Sequence, residues 1–246
     1  MDHQAAADFL LAARVHGPGD AFPPALRPAT AADAAAIQRL TMAALGPIGG
    51  WKVGAAGPDA PPSCAPMPHA GLHDAPAALP GAAFTTRDIE SEIAFRLACD
   101  LPPRAVPYTR ADIEAAIATC HPGIEVLQSR FADAAGVDPL SHLADLIRHG
   151  AYVAGPPIAG WQHIDFAAVE VRQTIDDNVL VRTGNPAGDM LRLVTWLANE
   201  GAVWAGGLRA GQLITCGSWT GATPAPPFAT VETSFTIAAT VRLRFT

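Results

Sequence analysis

Toward its C-terminus the chain alternates strictly, with Val231, Thr233, Phe235 and Ile237 on one side, followed by Val241, Leu243 and Phe245. A period of two puts successive side chains on opposite faces, so this segment must form strands with one buried face. Strands of that kind need a sheet to receive them. Residues 167–172 and 179–183 alternate in the same way around Asp176-Asp177-Asn178, a hairpin signature. Helical spacing is found elsewhere. Residues 2–14 place Phe9, Leu10 and Ala13 on one side and stop at Gly17, while Thr30 caps a second helix with Asp33 at its third position and Ile37, Leu40 and Ala44 following. Further helices are expected over 109–120, ended by His121-Pro122-Gly123; over 139–149; and from Asn185-Pro186 to about Glu200, stopped by Gly201. The class is α+β, weighted toward β after residue 160, with a helical lobe over 1–45 ahead of a larger unit over 46–246. Residues 57–81, dense in proline and alanine, read as a long functional loop or lid.

Composition narrows the function. Half the residues are hydrophobic, much of that alanine, and no apolar run is long enough to span a bilayer, so a soluble, cytoplasmic protein is expected. A net charge of −7 without a basic block argues against nucleic acid and anionic membrane and for a small-molecule partner. Cys64, Cys99, Cys120 and Cys216 are scattered and suggest neither a zinc site nor a disulfide framework. Two scarce residue types stand out: one lysine against fifteen arginines, and seven glutamates against sixteen aspartates.

The lysine, Lys52, lies in Gly49-Gly50-Trp51-Lys52-Val53-Gly54, where glycines let the backbone approach a ligand closely. An amine can give up a proton where a guanidinium cannot, which suits a role in proton transfer; the alternative is a lone surface lysine. As a strand, 88–95 would put Ile89, Ile93 and Phe95 on one face and Glu90 with Glu92 on the other. Two adjacent carboxylates repel unless a cation such as Mg²⁺ or Mn²⁺ sits between them. The same residues also fit a helix capped by Thr86, with Ile89, Ile93 and Leu97 on one face and Glu92 pairing Arg96; the pattern alone favours that helix. Glu125, an acid inside the apolar run Gly123-Ile124-Glu125-Val126-Leu127, needs a partner, either Arg130 or a metal.

Taken in order, Gly50-Trp51-Lys52-Val53-Gly54, Ile89-Glu90-Ser91-Glu92-Ile93-Ala94-Phe95, Gly123-Ile124-Glu125-Val126-Leu127-Gln128-Ser129-Arg130 and the segment from Ala210 through Gly217-Ser218 to Gly221 resemble the 2-keto-4-pentenoate hydratase and 4-oxalocrotonate decarboxylase family of the fumarylacetoacetate hydrolase superfamily. The likeness runs from about residue 30 to the C-terminus. It implies a fumarylacetoacetate hydrolase C-terminal-domain-like mixed β-sheet roll with an N-terminal helical lobe, and a strand for Glu90 and Glu92. It implies Mg²⁺ or Mn²⁺ on Glu90, Glu92 and Glu125, Lys52 as the active-site lysine, and Gly217 and Ser218 near the carboxylate of a 2-oxo or 2-hydroxy acid. Relatives carry Asp-Asn followed by small residues where this chain has Asp145-Leu146-Ile147-Arg148-His149; only Asp145 matches, as a supporting or acid–base residue. Arg148, with His149, is read as facing a distal substrate carboxylate, or alternatively as closing a helix at Gly150. The implied reaction is hydration of a 2-hydroxy-dienoate in aromatic-compound catabolism, with decarboxylation of an oxalocrotonate or hydrolysis of an acylpyruvate as alternatives. A homo-oligomer is implied, associated with a related decarboxylase or, in a rival reading, acting only as a catalytically weak subunit that binds such a partner.

Overall fold

The computed structural model describes residues 1–246. Its strands are β1 Ile48–Gly54, β2 Ser63–Pro68, β3 Leu72–Asp74, β4 Ala77–Leu79, β5 Asp88–Leu97, β6 Ile117–Leu127, β7 His149–Ala154, β8 Glu170–Ile175, β9 Asn178–Thr183, β10 Leu213–Ser218, β11 Thr223–Pro224, β12 Thr230–Phe235 and β13 Val241–Phe245. The α-helices are α1 His3–His16, α2 Ala31–Leu45, α3 Arg110–Ala116, α4 Pro139–Ala144 and α5 Met190–Trp196. Two mixed sheets result. The larger runs β2-β1-β10-β5-β6-β7-β3, with β11 beside β5, and the smaller runs β4-β13-β12-β8-β9. No helix is long and apolar enough to cross a membrane.

The C-terminal alternation sets how the sheets meet. Val231, Thr233 and Phe235 of β12 and Val241, Leu243 and Phe245 of β13 are all buried, and most of them pack against Ile89, Ile124, Val126 and Val153 of the larger sheet. Each fully buried apolar side chain contributes roughly 1.5–3 kcal/mol relative to exposure. A one-residue slip would turn the whole set to solvent, so the register is fixed by burial. Ile237 falls in the turn between the two strands. The hairpin is β8 and β9, joined at Ile175 and Asn178 through Asp176-Asp177, so its first strand begins later than the alternation suggests.

Asp2 caps α1 through Ala5 N at 3.0 Å, and Thr30 with Asp33 forms a capping box on α2. These helices share a core with Phe131 and Ala144, so they rest on the chain around α4.

Several expected boundaries move. Helix α3 stops at Ala116, and His121-Pro122-Gly123 lies within β6, where Ile93 pairs with Pro122 and Glu92 with Gly123. Pro122 is tolerated because it sits just beyond the β6–β7 ladder, which begins at Gly123 and Ala154. The helix expected over 139–149 ends at Ala144; Leu146, Ile147 and Arg148 then take φ values of 51°, 49° and 60°, and His149 opens β7. Helix α5 starts only after Asp189, which caps it through Leu191 N, and a π-helical turn carries it on to Gly201. The stretch 57–81 is not a free lid. It supplies β2, β3 and β4, each at an outer edge of its sheet, where prolines are compatible with strand pairing.

Candidate active site

Four neighbouring strands of the larger sheet, β1, β10, β5 and β6, bring Lys52, the three predicted glutamates and Gly217-Ser218 to one place. Strand β5 buries Ile89, Ile93 and Phe95 in apolar clusters and turns Glu90 and Glu92 to its other face, as a strand must. The expectation of a strand here is met and the helical alternative is not. Antiparallel pairing of β5 with β6 sets Glu90 directly opposite Glu125. On the other flank β10 pairs with β5, and its Thr215 hydroxyl donates to Glu92 Oε2. Strand β1 lies parallel to β10 with Lys52 in register with Thr215.

The ligating atoms of Glu90, Glu92 and Glu125 all lie within 4.8 Å of one another. Lys52 Nζ donates to Glu125 Oε1 at 2.8 Å and to the Ile147 carbonyl at 3.1 Å. His149 Nδ1 lies 2.9 Å from the same Glu125 oxygen. Glu125 Oε2 is buried with no partner. Burial pushes the Glu90 carboxyl up to about 7, with Lys52 opposing the shift and Glu125 reinforcing it. Burial, then the charges of Glu125 and Glu90, hold Glu92 well above the ordinary carboxylate range. For Glu125 burial also raises the value, but Lys52 and the His149 hydrogen bond outweigh it, so this acid is held low. Three converging acids with one ammonium are short of positive charge, and the orphaned oxygen has nothing to bind. An all-oxygen donor set of this kind fits a hard divalent cation such as Mg²⁺ or Mn²⁺.

The acids open into a cleft of about 270 Å³, lined by Lys52, Glu90, Glu92, Ile147, Asn185 and the Gly217-Ser218 pair, among others. Gly217 has φ +78° at an irregularity in the β10–β5 register, a conformation that favours glycine. Asn185 Nδ2 donates to the carbonyls of Cys216 and Gly217 at 2.8 and 3.3 Å and so holds this turn. Behind the acids, the Tyr152 ring fills the space left by Gly123: a Cβ there would lie 2.1 Å from the Tyr152 hydroxyl.

Two predicted residues are placed differently. Asp145 does not line the cleft; it is fully buried, with Oδ1 accepting from Arg130 Nε at 2.6 Å. This removes Arg130 as the partner of Glu125 and makes Asp145 a support for the turn that follows it. Arg148 is likewise outside the lining and donates to Asp88 Oδ2 at 3.0 Å. Sequence reasoning missed the contact of His149 with Glu125, the hydroxyl of Thr215, Tyr152, and Asn185 as a cleft residue. Thr215 and its neighbours did carry a signal, as part of the segment ending in Gly217-Ser218. The other three depend on long-range pairing.

No protein-family model matches the chain. Among solved structures, 4-oxalocrotonate decarboxylase from Pseudomonas putida G7, complexed with magnesium and adipate, superposes with a TM-score of 0.85 over 99% of this chain and 97% of that one, at 23% identity. The same enzyme complexed with calcium and acetate gives 0.82 at 22% identity, over 99% and 97% of the two chains. Fumarylpyruvate hydrolase from Pseudomonas aeruginosa, in complex with Mn²⁺ and pyruvate, gives 0.53 at 14% identity, covering 79% and 88%. The α+β roll with helices at its N-terminus is thus the fold of these enzymes.

Proposed function

We propose that this chain is a divalent-metal-dependent enzyme of the 2-keto-4-pentenoate hydratase and 4-oxalocrotonate decarboxylase family, and that it adds water to a 2-hydroxy-dienoate. The observation that carries the proposal is the convergence of Glu90, Glu92 and Glu125 within 4.8 Å beside a cleft that contains Lys52. Neighbours of the same fold that are complexed with magnesium, calcium or Mn²⁺ and with small carboxylic acids support it. A cation on the three glutamates would act as a Lewis acid toward the C2 oxygen of a bound 2-oxo acid. Two of the three ammonium protons of Lys52 are engaged by Glu125 and Ile147, which leaves the third for transfer to or from the substrate. The backbone turn at Gly217-Ser218 would receive the C1 carboxylate. Ser63, Asn185 and Ser218 are neutral hydrogen-bonding groups of the cleft and suit the positioning of the water that adds at C4.

Glu92→Gln tests the metal reading. It keeps the shape of the side chain and its contact with Thr215 but removes a charge from the donor set, so calorimetric Mn²⁺ affinity should fall clearly below that of the parent. Unchanged affinity would mean that the acids do not hold the ion together.

Decarboxylation of a dicarboxylic oxalocrotonate is the second reading, favoured by the likeness to the Pseudomonas putida enzyme. Against it, Lys52 is the only cationic residue of the cleft lining, and Arg148 is engaged by Asp88. Turnover of a monocarboxylic dienol and of its dicarboxylic counterpart, each by the parent and by Arg148→Ala, separates the two. Hydration predicts that the substitution leaves the ratio of the two rates unchanged. A selective loss on the dicarboxylic substrate would restore Arg148 to the site and favour decarboxylation.

A further inference from the structure

We propose that His149 is a positioning residue that fixes which oxygen of Glu125 is free to bind the cation; the inference rests on the metal reading above. His149 opens β7, is 1% exposed, and sets Nδ1 2.9 Å from Glu125 Oε1. Glu125 is fully buried, and the same oxygen accepts from Lys52 Nζ at 2.8 Å. A carboxylate oxygen can only accept, so His149 Nδ1 carries the hydrogen. Nε2 is buried without a partner. A proton there would be a buried donor with no acceptor, so the ring is the neutral tautomer protonated at Nδ1.

The consequence concerns geometry. With Oε1 saturated by two donors, the carboxylate cannot rotate about its last bond without abandoning both. Oε2, which has no partner in the fold, is therefore the oxygen left for a cation shared with Glu90 and Glu92, whose carboxylates approach that of Glu125 within 4.8 Å. Lys52 alone could follow a rotating carboxylate, because its stem is flexible, and it also has the Ile147 carbonyl as an acceptor. The imidazole has no such freedom. It is carried at a strand terminus, with Gly71 against its Nε2 side: a Cβ at Gly71 would lie 3.3 Å from that atom. Hydrogen bonds that orient a ligating group typically contribute about 10–100-fold to metal affinity.

The test compares Mn²⁺ binding by calorimetry for the parent, His149→Leu and His149→Asn. The amide nitrogen of asparagine can take the place of Nδ1, whereas leucine has no donor. The expected result is a loss of about 10–100-fold in affinity for His149→Leu, with His149→Asn recovering most of it. Equal affinity in parent and His149→Leu, or an asparagine variant as weak as the leucine one, overturns the inference. A parent that binds no Mn²⁺ is a different result and overturns the metal reading itself. Ring-nitrogen NMR of the labelled parent gives a measurement that needs no variant to fold. A histidine protonated at Nδ1 and bare at Nε2, whose signals shift when Mg²⁺ is added, supports the assignment, and the opposite tautomer refutes it.

Discussion

Lys52→Arg is expected to lower the turnover of a 2-hydroxy-dienoate by about 10²-fold or more, the range typical for loss of a positioned acid–base group. The positive charge stays in place, so Glu125 keeps an oppositely charged neighbour and Mn²⁺ affinity should remain close to that of the parent. What disappears is the amine itself, since a guanidinium stays protonated and cannot serve as a base. Lys52 is 7% exposed and spends two donors on Glu125 Oε1 and the Ile147 carbonyl, so its third proton is the one free to face the cleft. An arginine placed on those two acceptors would have no transferable proton to offer. The loss should therefore fall on kcat, with KM changing much less. A variant that turns over at near the parental rate would reduce Lys52 to an electrostatic contact. A variant that loses Mn²⁺ binding as well would show that the residue builds the acid cluster and does not act on the substrate.

How far the site could be read without the fold depends on the range of each interaction. The C-terminal strands were legible because alternation is local and β12 and β13 bury the residues that it selects. The helix cap at Thr30 was legible for the same reason. The acids at Glu90 and Glu92 were ambiguous: Ile89, Ile93 and Leu97 fit a helix face, and only pairing with β6 and β10 imposes the strand. It was the ordered set of motifs, and not periodicity, that pointed to the strand. Lys52 and Glu125 are 73 positions apart, so no local pattern could pair them. The turn from Leu146 to Arg148 was illegible for a sharper reason. Left-handed backbone is ordinarily signalled by glycine or asparagine, and here it is taken by Leu, Ile and Arg. An isoleucine at φ 49° is strained, and such strain persists only where surrounding contacts impose it. The proline-rich stretch misled because proline is a poor guide at sheet edges, where β2, β3 and β4 lie.

The contacts that impose the strained turn converge on Arg130, and Arg130→Met should destabilise the protein by about 3–5 kcal/mol, the usual cost of leaving one member of a buried ion pair alone. Arg130 is 1% exposed and Asp145 fully buried. The guanidinium donates to Asp145 Oδ1 at 2.6 Å and, through Nη2, to the carbonyls of Asp145 and His149 at 3.3 and 3.0 Å, which bracket the turn. With Arg130 gone, the turn loses the brace that keeps the Ile147 carbonyl on Lys52. A second cation complicates the local balance in an informative way. Arg14, in the last turn of α1, is half-buried, its Nε and Nη2 are shielded and have no partner, and its guanidinium is lowered to about 9, first by burial and then by the charge of Arg130, with Asp145 opposing. In the parent, then, repulsion from Arg130 outweighs attraction to Asp145, and Arg14→Leu should be close to neutral or slightly stabilising. Once Arg130 is replaced by methionine, Arg14 is the remaining cation near a buried carboxylate, and the same Arg14→Leu substitution should become destabilising. Denaturant midpoints of the parent, the two single variants and the double variant measure this change of sign as a coupling between the sites. If Arg14→Leu has the same effect in both backgrounds, Arg14 and the Arg130–Asp145 pair are energetically independent, and the brace on the turn is Arg130 acting alone.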